Sequence, residues 1–157
     1  MDKVDFNRVE NILSNYNTIK ATIKNQLLEI EIIKNIYEGP SAISYEERTG
    51  PTYKITSTVG NEVIIKEKRI KEIENEIIAN QKLITMIDNA LEVIGNTERK
   101  LIELKYFNLN QMGWEQVGYA LGFSGDYCRT KLRNKVIKHM YYMLIINPYK
   151  QFKFEDF

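Results

Sequence analysis

The sequence predicts an all-α fold: a long, coiled-coil-like helical hairpin followed by a helix-turn-helix domain. Three observations lead there. Two stretches repeat apolar residues at seven-residue spacing, glycine and proline fall where those stretches end, and two short apolar patterns after residue 95 flank a glycine-containing turn.

The first stretch runs from Asp5 to Glu38. Val9, Tyr16, Ile23, Ile30 and Tyr37 share one heptad position, and Ile12, Ile19, Gln26 and Ile33 share its partner. Gln26 is the strongly polar member of the set. Gly39-Pro40 is expected to stop this helix. The second stretch runs from about Glu62 to Ile94, with Asn61 as the expected N-cap and Gly95 as the stop. Val63, Ile70, Ile77, Ile84 and Leu91 are in register, and Lys66, Ile73, Asn80, Ile87 and Ile94 form the partner positions. Two such seams are the pattern of a coiled coil. Asn80 is either a buried amide that fixes register or strand number, or an edge residue in contact with water.

Residues 39–60 lie between these helices. They hold two prolines and a Thr/Ser-rich run, with strand-like composition at Lys54–Val59, and are expected to be a mostly irregular loop. Such a connection lets the long helices fold back on each other. Residues 1–95 therefore read as the helical region, 96–146 as a separate domain and 147–157 as an aromatic tail.

In that second domain Thr97-Glu98 offers an N-cap and a first-turn acid for a short helix carrying Leu101, Ile102, Leu104, Tyr106 and Phe107. Asn108–Gly113 reads as a loop. From Trp114 onward the residues suit a helix-turn-helix, which needs a small residue where two helices nearly touch and a turn residue tolerant of left-handed φ. Val117 and Leu121 face the core, Gly118 is the small residue, Gly122 makes the turn, Phe123 anchors it and Ser124 caps the next helix. That helix extends to about Ile146, where Asn147-Pro148 ends it. Cys128 falls at a buried offset. Lys131 stands where an apolar residue is usual, and Leu132 is expected to take over its packing through a slight rotation of the helix.

Composition narrows the function. The chain has 157 residues, a net charge of +1, one cysteine and one histidine. Cys128 alone makes no internal disulfide and is compatible with a reducing compartment. With His139 it makes no ordinary zinc site, and most nucleophile–histidine catalysis is excluded. No cofactor, no metal and no enzymatic activity are expected, although carboxylate chemistry stays open. No apolar run approaches the roughly 18 residues a membrane helix needs, and the first residues do not resemble a signal peptide. Cys128 is expected to be a buried small hydrophobe, not a nucleophile. His139 is expected to pack or to face phosphate, and Trp114 and Tyr119 to pack locally.

Charge is unevenly distributed, with −3 over residues 1–95 and +4 over residues 96–157. Arg129, Lys131, Arg133, Lys135 and Lys138 are five cations within ten residues that contain no acid. If Cys128, Leu132 and Val136 point inward, the outward face at the start of the helix carries Gly125, Asp126, Tyr127, Arg129, Thr130 and Arg133. The start of a recognition helix enters the major groove. Arg129 and Arg133 are then candidates for guanine edges and Asp126 for cytosine, while Lys131, Lys135 and Lys138 suit phosphates. With Ser124, Tyr127 and Thr130, these residues form the expected DNA-binding set.

Residues 97–140 resemble the DNA-binding region four of bacterial sigma factors. The likeness lies in Glu98-Arg99-Lys100-Leu101, Tyr106-Phe107, Trp114-Glu115-Gln116-Val117, Leu121-Gly122-Phe123-Ser124 and Cys128-Arg129. The wider layout is similar to small phage transcriptional regulators of the RinA/ArpU type, with Tyr45-Glu46, Thr56-Ser57-Thr58-Val59 and Glu62 echoing their loop. That resemblance implies a cytoplasmic, non-catalytic regulator, an activator of phage or prophage genes that works with host RNA polymerase. Lacking a recognisable region two, it is not expected to open promoter DNA itself. Its expected partners are double-stranded DNA and copies of itself, in a dimer or higher oligomer; equally, the long helices could pair within one chain as a stalk that exposes a polymerase-binding surface. The 22 isoleucines, 16 lysines and 15 asparagines suit an AT-rich genome. Two other readings compete: a small-terminase-like packaging protein, which joins similar parts, and an interaction module without DNA binding, which Lys131 and the modest net charge leave open.

Overall fold

The computed structural model describes residues 1–37, 58–110 and 112–145. Every regular element among them is helical, so the fold is all-α. The helices are α1 (Lys3–Ser14), α2 (Tyr16–Tyr37), α3 (Thr58–Val93), α4 (96–107), α5 (Trp114–Leu121) and α6 (125–144). The expected stops at Gly39-Pro40 and Asn147-Pro148, the tail 147–157 and most of the loop 39–60 lie outside the described residues.

Three boundaries differ from expectation. The first stretch is two helices, broken at Asn15, which takes φ −90° and ψ 1°. Its side-chain amide donates to Asn11 O at 2.9 Å, so it competes locally with the helical ladder. α3 starts at Thr58, which places 58–60 in helix and Asn61 inside the helix, not ahead of it. α4 starts at Asn96 behind an extended Gly95, so Thr97 is not its N-cap.

The chain divides into two compact units, Ala21–Asn80 and Met1–Lys20 with the chain from Gln81 onward. The sequence places a boundary at 95/96, whereas these contacts group the first helix and the end of α3 with the C-terminal helices.

In the unit Ala21–Asn80, Ile30, Ile73 and Ile77 are buried, with Ile23, Ile33 and Ile70 packed against them. These are seam residues read from the heptads. Gln26 donates to Glu76 Oε2 at 2.6 Å, and Arg69 pairs with Glu29 at 2.9 Å. Asn80 is half-buried.

The other unit has the larger core, built on Val9, Leu13, Ile87, Leu101, Ile102, Val117, Cys128, Val136, Ile137 and Met140. Tyr16 ties three helices together. Its ring stacks on Phe107 at 4.1 Å, and its hydroxyl donates to Asp88 Oδ1 at 2.7 Å. Arg99 Nε donates to Leu91 O at 2.9 Å, which satisfies a carbonyl in the last turn of α3.

Candidate nucleic-acid interface

α5 and α6 meet across a turn whose geometry follows from its glycines. Gly113 N donates to Gln116 Oε1 at 2.9 Å and fixes the start of α5. Gly122 ends α5 with φ +75°, a left-handed conformation that favours glycine. Phe123 N donates back to Gly118 O at 2.9 Å. A Cβ on Gly118 would lie 2.7 Å from both Gly125 N and Phe123 O, so the two backbones approach this closely only because Gly118 lacks one. Ser124 Oγ accepts from Tyr127 N at 3.2 Å and caps α6. Phe123, the expected apolar anchor of the turn, is 45% exposed.

α6 contains one turn of π-helix, Cys128–Leu132, closed by Arg133 N–H donating to Cys128 O five residues back. This extra residue in the turn is how the helix accommodates Lys131. It moves the buried position on by one, so Leu132 is buried while Lys131 stays in water. Cys128 is fully buried, and burial, with a smaller contribution from Glu115, pushes its thiol up. Gly125, expected on the outward face, is buried against the Glu115 carboxylate.

Apart from Ser124, which caps α6, the expected DNA-binding residues fall into two groups. Asp126, Tyr127, Arg129, Thr130, Lys131 and Lys138 are exposed on α6. Arg129 pairs with Asp126 at 2.9 Å, and Thr130 Oγ1 donates to Asp126 O at 2.8 Å. An ion pair this exposed contributes little stability, so Arg129 can exchange it for another acceptor.

Arg133 and Lys135 form the second group, and both are engaged elsewhere. Arg133 Nε and Nη2 donate to Glu10 Oε1 and Oε2 at 2.6 Å each, and its guanidinium lies 4.8 Å from the centre of the Phe6 ring. Turning it towards a guanine would strand the partly buried Glu10 carboxylate, so Arg133 is not a base reader in this arrangement. Tyr106 also donates to Glu10 Oε1. Burial raises the pKa of Glu10, but the hydrogen bonds from Arg133 and Tyr106 and the Arg133 charge outweigh it and hold the carboxyl below its usual value.

Lys135 pairs with Glu98 Oε1 at 2.8 Å, and His139 Nδ1 lies 2.9 Å from Oε2. An ionised carboxylate only accepts, so Nδ1 carries the proton. Glu98 is 5% exposed. Burial again raises its pKa, and Lys135 and His139 outweigh that and lower it. Lys135 pairs with this carboxylate while its own side chain stays 61% exposed. Sequence reasoning missed Glu10 and Glu98 as partners. The signal for Glu10 was an acid set among the buried Val9 and Leu13, and the signal for Glu98 was an acid three residues before the buried pair Leu101-Ile102.

Trp114 is half-buried, with Lys105 Nζ 4.8 Å from its ring centre, whereas Tyr119 is 93% exposed. Beside the exposed face of α6, Lys3, Asn7, Asn134 and Lys138 line a groove between α1 and α6. Among the described residues no group of His, Cys, Asp and Glu side chains is placed to hold a metal ion, and no helix is long and apolar enough to cross a membrane.

No curated protein and no solved structure matches the chain. A family model described as a protein of unknown function (DUF722) matches residues 2–142, a span that takes in every helix from α1 to α5 and nearly all of α6. By that match across both compact units, the chain belongs to the DUF722 family.

Proposed function

We propose that this protein is a cytoplasmic, sequence-specific DNA-binding regulator of transcription, an activator of phage or prophage genes acting with host RNA polymerase and without catalytic activity. One observation carries the reading. α6 begins on a rigid glycine turn and presents Asp126, Tyr127, Arg129, Thr130 and Lys131 outward at its N-terminal end, the end of a recognition helix that reaches base edges. Arg129 and Asp126 supply a donor and an acceptor for base edges. Lys131 and Lys138 supply charge for phosphates, with Lys3 beside Lys138 in the adjoining groove. The resemblance to sigma region four and to RinA/ArpU-type regulators supports the same function.

Self-association belongs to this proposal, because paired recognition helices on two half-sites multiply a small interface. The test is selection of bound duplexes from a random pool, with sedimentation mass measured on the complex. A consensus bound more weakly as salt rises, at a mass of two or more chains, supports the reading. Equal recovery of all sequences removes sequence-specific recognition, and a ring of eight or more chains would favour DNA packaging.

A further inference from the structure

Three aromatic side chains project from the turn region, whereas most of the others in this unit pack inward, Tyr142 excepted. Tyr119 is 93% exposed, and Phe123 and Tyr127 are 45% exposed each. They are spaced by four residues, from the end of α5 across the turn to the start of α6. The Phe123 and Tyr127 rings face each other at 5.2 Å and 34°, so they make one apolar surface. Phe6, Tyr106, Phe107 and Trp114 are half-buried against the core. The exposed pair is also held in place. Ser124 caps the helix between the two rings, and the Gly118 contact pins the backbone on either side of Phe123.

The charges around the pair point to its partner. Arg129 and Lys131 are exposed nearby, the Asp126 carboxylate is met by Arg129, and the exposed Glu115 carboxylate lies against Gly125. Exposed apolar rings with exposed cations on the same helix fit an anionic surface with apolar groups inside it. On the base edges of the major groove, the apolar group is the C5 methyl of thymine. With Arg133 and Lys135 committed to Glu10 and Glu98, Arg129 is the arginine left on this face among the described residues. We infer that the Phe123–Tyr127 pair reads T·A base pairs by packing on the thymine methyl group. This inference rests on the DNA-binding reading above and names part of the sequence it selects.

The experiment uses the full chain and a duplex recovered by selection from a random pool. Each thymine is replaced in turn by deoxyuridine, which keeps the hydrogen-bonding edge and lacks the methyl. At one or two positions binding should weaken by about fourfold, the value of one buried methyl-sized group. In Tyr127→Ala, and independently in Phe123→Ala, the difference between thymine and deoxyuridine at those positions should disappear. The inference is overturned if deoxyuridine and thymine bind equally at every position, or if the difference survives both substitutions. Either result leaves selective, salt-sensitive duplex binding intact and assigns the rings to another partner, such as a protein. Equal affinity for every duplex overturns the DNA-binding reading together with the inference.

Discussion

Arg133 and Glu10, 123 residues apart in sequence, meet through two hydrogen bonds of 2.6 Å each. The pair fastens α1 to the helix that carries the candidate interface. Glu10 is 18% exposed and Arg133 30%, so water screens the pair only in part. The first helix is thus a structural component of the C-terminal unit.

Removing both partners should cost less than the two single losses added together. Arg133→Ala and Glu10→Ala are each expected to destabilise this unit by about 1–3 kcal/mol, and the double substitution by less than their sum. Urea unfolding of the four proteins measures this. Additive losses would show that the pair contributes no coupling.

The crossing of α5 and α6 gives a contrast between glycines. Gly118→Ala places its methyl against backbone atoms that cannot yield, and should cost roughly 1–3 kcal/mol or more. The atoms nearest to the added Cβ in Gly125→Ala belong to the Glu115 carboxylate, at 2.5 Å, and that side chain can swing away. Its cost should be clearly smaller. Thermal melts of the two variants compare them directly, and a reversed order would mean that the crossing is not the tight point.

Stability should fall in acid. Glu10 and Glu98 both have folded pKa values below their unfolded ones. Such groups contribute stability that is fully present above the unfolded value of about 4.5 and is lost as pH falls through the folded value. Urea midpoints from pH 6 down to pH 3 should decline, and the double variant Glu10→Gln/Glu98→Gln should decline less steeply. Identical slopes would remove these two carboxylates from the acid response.

Cys128 should behave as core. Cys128→Ala is expected to cost roughly 1–2 kcal/mol while leaving duplex binding at low temperature intact. A thiol reagent should label native protein slowly and unfolded protein fast. Rapid native labelling would contradict the burial.

In the smaller unit, the Gln26 Oε1 atom is buried without a hydrogen-bond partner. Gln26→Leu should therefore raise stability by about 1 kcal/mol, despite the lost bond to Glu76. A melt shifted downward would show that the Gln26–Glu76 bond outweighs the stranded carbonyl.

Local chemistry made much of this fold legible. The seam residues Ile30, Ile73, Ile77, Ile87 and Ile94 are buried as their heptads predict, and Gly118, Gly122 and Ser124 hold their expected places in the turn. These depend on spacing and on φ, which a sequence displays directly. Lys131 was a partial signal: the misfit was visible, but the π-turn that resolves it needs the backbone. The pairing of Arg133 with Glu10 and of Lys135 with Glu98 was not legible because those partners are remote in sequence. Charge spacing along one helix marks cations, and says nothing of which already face an acid from α1 or α4. The 45% exposure of Phe123, the expected anchor of the turn, was not legible either, because its contact with the Tyr127 ring depends on the folded turn.

The central claim is that the exposed start of α6 reads sequence, and one titration series tests it most directly. Wild-type, Arg129→Ala and Lys138→Ala proteins are each titrated with the selected duplex and with a scrambled one, at several salt concentrations. Arg129→Ala should lower the ratio of selected to scrambled affinity by about 1–3 kcal/mol, whereas Lys138→Ala should weaken both duplexes alike and reduce the salt slope by about one. A wild-type ratio of one at every salt concentration, or equal and sequence-blind losses from both substitutions, would contradict the account.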